Sequence, residues 1–316
     1  MSAQALSSRA IMGMYYKKLS QDVGASWVGK ITNLFNSDQE SETYKWLGQV
    51  PAMREWIGGR NAKGFTSNGI TIENKHYEST LEVEVRELRR DKTGQLRVRI
   101  TEHARRALSH WATLLNTLIE NGESTVCYDG QFFFDTDHSE GDSGSQSNDI
   151  SVDISELPVT VAGTTTLPSV EEMQLAIDEG IMQITSFLDD QGEPMNEDAR
   201  SFVVMVPKSF QRVARQAVYS SGQVAASQTV MDAMKADFNI EVVTNPRLSW
   251  TTKFAVFRVD SEVKPLIRQQ ETDVKIKAKA EGSEYEFDND AHQYGMDAWR
   301  NVGYGYWQNA CLVTLI

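Results

Sequence analysis

Cysteine is nearly absent: Cys127 and Cys311 are the only two in 316 residues. Two cysteines give no disulfide framework and no metal-ligand spacing, so a reducing compartment is the natural inference. A lone Cys127–Cys311 bridge is the lesser alternative. Long apolar runs are missing as well. None approaches the ~20 residues that a membrane-spanning helix needs. The opening residues, MSAQALSSRAIMGMYYKKL, do not follow the basic-then-apolar order of a signal peptide. Catalytic signatures are lacking too, with no G-x-S-x-G, no HExxH and no Cys–His set. Proline is sparse, with seven in the chain, of which Pro51, Pro194 and Pro207 act as punctuation.

The sharpest shortage is positive charge in the middle of the chain. No Lys or Arg lies between Arg106 and Arg200, whereas 19 acidic residues, from Glu120 to Asp198, fall in that interval. The net charge of -13 therefore belongs to one block, and the rest of the chain is net basic. Such a block is repelled by nucleic acid and faces solvent or a basic partner. A solvated face that only aids solubility is the plain alternative. Just before the block, Arg86 to Arg106 carries 8 basic and 3 acidic residues. That run suits a solvated face, a neighbour's acidic block or enclosed nucleic acid.

What is present is a charged, aromatic-dotted arm leading into an alternating segment, residues 38–86. Tyr44, Trp46 and Trp56 dot the arm. From Gly64 to Val85 the pattern is strand-like, with Ile70 and Ile72 and then Leu81, Val83 and Val85 alternating with polar residues. Glu73–Asn74–Lys75 is the expected hairpin turn, and Asn68–Gly69 competes with it. A two-stranded ribbon is marginal alone in water and needs another surface. The expectation is that it lies across a neighbouring copy of the chain. The candidate inter-subunit residues are Trp46, Trp56, Phe65, Ile70, Ile72, Tyr77, Leu81, Val83, Arg86, Arg89 and Arg90.

Elsewhere the periodicity predicts regular elements. Two short helices are expected within residues 3–36. A long one, near 97–121, carries Ile100, Ala104, Leu108, Trp111, Leu115 and Ile119 and stops at Asn121–Gly122. Residues 139–149 read as a loop too polar to pack. Strands are expected at Ile150–Ile154 and Val159–Val161. Ser169 with Glu172 forms a capping box opening a helix that continues to Leu188. Phe202–Val259 then alternates strands at 202–206, 240–243 and 254–259 with helices at 209–220 and 230–238, a βαβ flavour. The tail, Val274–Ile316, returns to strand-like alternation.

Candidate chemistry is thin. Gly24 to Lys30 has Walker A spacing, but Ile31 stands where magnesium needs Ser or Thr, and no buried strand precedes it. Asp135-Thr-Asp137-His138-Ser-Glu140-Gly-Asp142 is metal-friendly yet fails the EF-hand pattern at its sixth position. A mobile acidic loop is the preferred reading there, with a weak divalent cation site as the alternative. His103 and His110 sit seven apart on one helix, too far for one metal site. No catalytic, cofactor-binding or metal-ligating residue is assigned.

Taken together, SDQESETYKWLGQVPAMREWIGGR, NKHYESTLEV, YDGQFFFDTDH, FVVMVPKSFQRVARQ and RNVGYGYWQNA resemble the Mu-type major head subunit family of tailed bacteriophages. The resemblance implies an α+β Hong Kong 97-type capsid fold. Residues 1–60 are then the N-terminal arm and 61–90 the extended loop. Residues 91–159 and 251–316 form the peripheral domain with its spine helix, and 160–250 the axial domain with a central mixed sheet flanked by helices. It further implies a homo-oligomer of hexamers and pentamers in an icosahedral shell around double-stranded DNA, close to that DNA without sequence preference. Portal, scaffolding and decoration proteins are the implied partners, no membrane is involved, and the protein belongs in the virion after assembly in the host bacterial cytoplasm. Some relatives of this fold crosslink through a loop lysine. Lys63 and Lys75 lie in or near the loop, but no crosslink is assigned. A closed shell also agrees with the bare physics, since many modest contacts per subunit add up. The rivals are an encapsulin-like nanocompartment shell and a soluble α/β enzyme built on Phe202–Val259.

Overall fold

The computed structural model describes residues 7–21, 24–45, 69–90, 94–220 and 235–316. The chain begins with α1 (Ser8–Gln21), the single turn α2 (Val28–Ile31), β1 (Thr32–Asn36), β2 (Ser41–Tyr44), β3 (Ile70–Glu73), β4 (Lys75–Glu84), α3 (Val85–Arg90) and α4 (Gln95–Glu120). Then come β5 (Asp149–Val152), α5 (Val170–Ser186), β6 (Ser201–Val206), α6 (Gln211–Tyr219), β7 (Asn239–Thr244) and β8 (Lys253–Arg258). The chain closes with β9 (Leu266–Lys279), α7 (Glu284–Asn289), β10 (Ala291–Tyr304) and β11 (Ala310–Leu315).

The long helix expected near 97–121 is α4, 26 residues and so about 39 Å long. Gly94, at φ 74°, turns the chain from α3 into it through a left-handed conformation that a side chain would resist. Its apolar stripe serves two cores. Leu96, Ile100 and Ala104 join a cluster with Ile11, Tyr15, Val83, Ile276, Tyr294 and Met296. Ala112, Leu115 and Ile119 join a larger one around Phe133, Phe202, Phe254, Phe257 and Trp307. One rigid rod thus holds two hydrophobic units at a fixed separation.

Among the described residues the strands form three sheets. The first has four strands in the order β1-β9-β10-β4, with β1 parallel to β9 and the other pairs antiparallel. The second is mixed, in the order β5-β11-β8-β6-β7, where β6–β7 and β5–β11 are parallel and β8 is antiparallel to both its neighbours. β2 and β3 form a separate two-stranded ribbon. α5 packs very closely on the mixed sheet. A Cβ at Gly180 would stand 2.9 Å from Val256 and 3.0 Å from Val313, so glycine sets that approach. The expected capping box opens α5: Glu172 N–H donates to Ser169 Oγ, and the Glu172 carboxylate accepts from Ser169 N–H.

Several expectations give way. The second amino-terminal helix is only the turn α2, after which Leu34 and Phe35 lie in β1, because pairing with β9 satisfies that backbone in a ready-made ladder. No hairpin turns at Glu73–Asn74–Lys75. β3 pairs with β2 and β4 pairs with β10, from Ala291↔Glu84 to Arg300↔Lys75. Asn74 is the buried pivot between the two sheets. Its N–H donates to the Glu40 carbonyl (2.8 Å), its Nδ2 to the Gln39 carbonyl (2.8 Å), and its Oδ1 accepts from Gln269 (2.9 Å). Residues 159–161 form no strand. Of the helix expected at 230–238, residues 230–234 lie outside the described residues and 235–237 are helical. The tail's alternation is interrupted by α7, which Ser283 caps.

The mixed sheet draws on strands from both expected domains. β5, β8 and β11, assigned to the peripheral domain, pair into the mixed sheet with β6 and β7. Sheet pairing joins strands remote in sequence, so contiguous segments cannot mark its limits. Both cysteines are free and buried, without a bridge between them.

Candidate inter-subunit surfaces and a buried polar anchor

Trp46, Trp56 and Phe65 lie outside the described residues. The remaining candidates divide sharply. Ile72 (4% exposed) and Val83 (1%) are covered by their own chain and offer no surface to a neighbour. Ile72 fills the space over Gly303, where a Cβ would come within 2.4 Å of it, and Val83 joins the cluster beneath α1. Leu81 and Ile70 pack at the edges of the two cores. Tyr77 is half-buried with its ring 4.4 Å from that of His110. The strand-like alternation was correctly placed, but β10 and α4 supply the cover expected from another subunit.

Two of the candidate arginines, Arg86 and Arg89, reach solvent. Arg86 is exposed and bonded to Glu84, Arg89 is exposed, and Arg90 ends α3. Along α4, Arg99 pairs with Glu87 at 3.6 Å and Arg105 with Glu102 at 3.2 Å. Exposed pairs of this kind contribute little, so the basic run keeps an outward positive face. The outer side of the four-stranded sheet is polar too. His76 stacks on the partly exposed Trp299 (4.6 Å, 15°), and Lys277 pairs with Asp297 at 3.2 Å.

The loop read as mobile is instead the best-anchored polar part of the acidic block. His138 is wholly buried, with its ring 3.9 Å from the Trp307 ring and nearly parallel to it (7°). Nδ1 faces Asp129 Oδ2 at 2.6 Å, and Nε2 faces Asn148 Oδ1 at 3.2 Å. That Asn148 oxygen also accepts from Asp135 N–H, while Asn148 Nδ2 donates to the Phe133 carbonyl. Cys127 Sγ donates to Asp129 Oδ1 at 2.9 Å. Burial alone would raise the Asp129 carboxyl, but the hydrogen bonds from His138 and Cys127 outweigh it and hold it below its ordinary value. Burial raises Glu140, which accepts from Tyr128 (2.5 Å) and from Trp307 Nε1 (3.2 Å). Gly141, at φ 54°, lies so close to the Asp190 carbonyl that a Cβ would be 2.3 Å from it, which ties this loop to the one after α5.

Among the described residues the one group with metal-ligand potential is Cys127, Asp129 and His138, not the Asp135–Asp142 carboxylates. Its members already satisfy one another by hydrogen bonds. The anchor is not legible in YDGQFFFDTDH because two of its parts, Asn148 and the stacked Trp307, lie outside that run. The signal available was a histidine embedded in an aromatic-rich run. In the Walker-like loop, Lys30 Nζ is held by Glu241 at 2.5 Å.

A sequence model of the Mu-like prophage major head subunit gpT family matches residues 8–158 and 226–314, well over half of the chain. The Mu-like prophage FluMu major head subunit of Haemophilus influenzae is 37% identical over 123 residues, 39% of this chain and 40% of that protein. The major capsid protein of Escherichia phage Mu is 34% identical over 113 residues, 36% of this chain and 37% of that protein. The aligned part thus spans about two fifths of these curated relatives. In structure, the chain resembles the procapsid subunit of bacteriophage JBD30 (TM-score 0.56, 22% identity, 97% of this chain and 73% of that one). It also resembles the procapsid of satellite phage P4 (TM-score 0.54, 11% identity, 100% and 93%). The fold is that of phage capsid subunits, α+β and Hong Kong 97-type.

Proposed function

The chain belongs to the family of Mu-like prophage major head subunits, and from that premise we propose that it is the major capsid protein of a tailed bacteriophage. Copies assemble as hexamers and pentamers into an icosahedral shell around double-stranded DNA, and the protein's part is structural. The family match along residues 8–158 and 226–314 carries this reading. An encapsulin-like shell is not favoured, because the matching family is one of phage head subunits. The enzyme reading is not favoured either, because the matching family is one of head subunits.

In this reading the β2–β3 ribbon is the stem of the extended loop, and Trp46, Trp56 and Phe65 are proposed as contacts with the neighbouring subunit. Residues 160–250 with β5, β8 and β11 act as the axial part, and α4 with the four-stranded sheet as the peripheral part. The acidic block faces outward or lies at seams between subunits. The basic run from Arg86 to Arg106 faces the DNA or an acidic neighbour. Portal and scaffolding proteins, and decoration proteins on the outer face, are the partners, and assembly takes place in the host cytoplasm.

The test is expression of the full chain followed by sizing chromatography and negative-stain imaging. Shells or capsomer rings are expected, and a small monodisperse particle would overturn the reading. Replacing residues 46–68 by a short Gly/Ser linker leaves the β2–β3 stem intact and is expected to abolish shells while the subunit still folds. Shells at normal yield would remove the loop from the argument. A shell map with residues 129–156 lining the lumen would contradict the electrostatic placement.

A further inference from the structure

Arg300 lies near the end of β10 on the side turned toward α4, and it is only 4% exposed. Its guanidinium stands over the Trp111 ring, 4.9 Å from the centroid, and one Nη donates to the Ala107 carbonyl at 3.3 Å. Nε is buried with no hydrogen-bond partner, and so is Nδ1 of His110. Among the described residues no ion pair includes Arg300. Both residues line a cavity of about 140 Å³ between α4, β4, β9 and β10, whose rim includes the exposed Ser79 and Arg106. Glu78 and Asp297 also border it, but the Glu78 carboxylate accepts from Thr80 and that of Asp297 pairs with Lys277.

A buried cation without a counter-charge is strongly unfavourable, and stacking on an aromatic ring offsets only part of that. The strain shows in both groups. Burial lowers Arg300 to about 10, with Asp273 and Tyr77 opposing the shift. Burial, and then the Arg300 charge, lower His110 to about 4, so its ring is neutral at neutral pH. The guanidinium with its free Nε–H offers a donor and one positive charge to the cavity, and the neutral His110 ring adds a second donor there in its Nδ1–H tautomer.

We propose that this cavity is a carboxylate site, filled in the assembled shell by an Asp or Glu side chain of a second copy of the chain. A carboxylate matches the Nε–Nη edge of arginine with two oxygens. The chain supplies such groups in excess, since residues 107–199 hold 19 acids and no Lys or Arg. A nucleic-acid phosphate continues into backbone on both sides and needs a groove, so it fits a cavity of this size poorly. The inference rests on the shell-forming function proposed above, and it identifies one of the contacts that function needs.

Two measurements test it. Thermal unfolding of unassembled full-length subunits is followed in sodium acetate against sodium chloride of equal ionic strength. Acetate is expected to raise the midpoint saturably in the wild type and to do nothing in Arg300→Met. Absence of an acetate effect in the wild type overturns the site. Arg300→Met is then expected to leave the free subunit as stable or more stable, because a buried unpaired charge is removed, while shell yield falls about tenfold or more. A destabilised Arg300→Met subunit that still forms shells at wild-type yield would make Arg300 an intrachain packing group. If empty shells form normally and only DNA-filled heads weaken, the occupant is a phosphate and the proposal fails. Arg300→Lys keeps the charge but loses the planar edge, so a partial loss of shell yield is expected even if the Met variant misfolds. Wild-type chains that form no shells at all would instead sink the function, while the acetate titration still reports on the cavity.

Discussion

In the five-stranded sheet, β6 and β8 are buried almost end to end: Val203, Val204, Met205 and Val206 on one, Phe254, Ala255, Val256 and Phe257 on the other. In the four-stranded sheet, β9 and β10 run for 14 residues each and alternate, with Tyr294, Met296, Ala298 and Arg300 turned inward and Trp299 partly exposed. The first sheet is enclosed by the helices and loops of its own chain. Among the described residues the second packs against α1 and α4, Ile72 of β3 covers Gly303, and the stretch around His76, Lys277 and Trp299 stays exposed. A subunit with one self-sufficient unit and one half-covered, elongated unit is suited to a shell, where the second unit meets neighbours and the first does not need them.

The comparison breaks most readily at Trp307, which is fully buried in the larger core and stacked on His138. Trp307→Ala is expected to cost about 3–5 kcal/mol, as large-to-small changes in tight cores do, and to be visible as a fall in urea midpoint. A cost no larger than that of a surface change would mean the acidic loop is not anchored there. Matched truncations sharpen the contrast between the sheets. Ile177→Ala, fully buried on α5, is expected to cost about 4 kcal/mol, and Ile276→Ala, 6% exposed on β9, about 2 kcal/mol. Equal losses would erase the difference drawn here.

A smaller effect concerns the polar anchor. Asp129 is held below its ordinary carboxyl value in the folded chain. Its stabilisation is therefore fully present above the unfolded value of 3.8 and is lost as pH falls through the folded one. Asp129→Asn is expected to cost about 2 kcal/mol at pH 7, with the gap to wild type closing only below about pH 4. Denaturant melts across pH check this, and a constant gap would show that the carboxylate charge is irrelevant.

Asp149 behaves in the opposite sense. Burial, with Glu123 nearby, raises it to about 6, and Lys253 opposes this only in part. Its ionised form is the unfavourable one, so stability falls as pH rises through that value. Asp149→Asn is expected to stabilise the chain above pH 6 by less than about 1 kcal/mol after solvent screening, and to change nothing below pH 4. A stabilisation that persists in acid would rule out the charge as its cause.

Local pattern found the elements wherever the residues decide their own conformation. The stripe from Ile100 to Ile119 gave α4, Ser169 with Glu172 gave the start of α5, and the apolar run Phe202–Val206 gave β6. It placed β3 and β4 as strands but joined them wrongly, because a plausible turn at 73–75 looks the same whether or not the flanking strands pair. It also read 139–149 as unpackable, since the groups that satisfy His138 and Asn148 come from Asp129, Phe133 and Trp307. The exposed arginines were legible as surface. The fate of Ile72 and Val83 was not, because burial depends on what another part of the chain brings to them.

The order of residues alone settled the helix periods, the caps, the strand alternation and the uneven charge, all of which arise from side chains within a few positions of one another. Only the tertiary structure decided which strands pair, that β4 is covered by its own chain, and that Arg300 is buried beside a cavity with no ion-pair partner among the described residues. Those outcomes depend on groups up to hundreds of positions apart meeting in space. Backbone pairing and desolvation act on that meeting, and no local pattern records it.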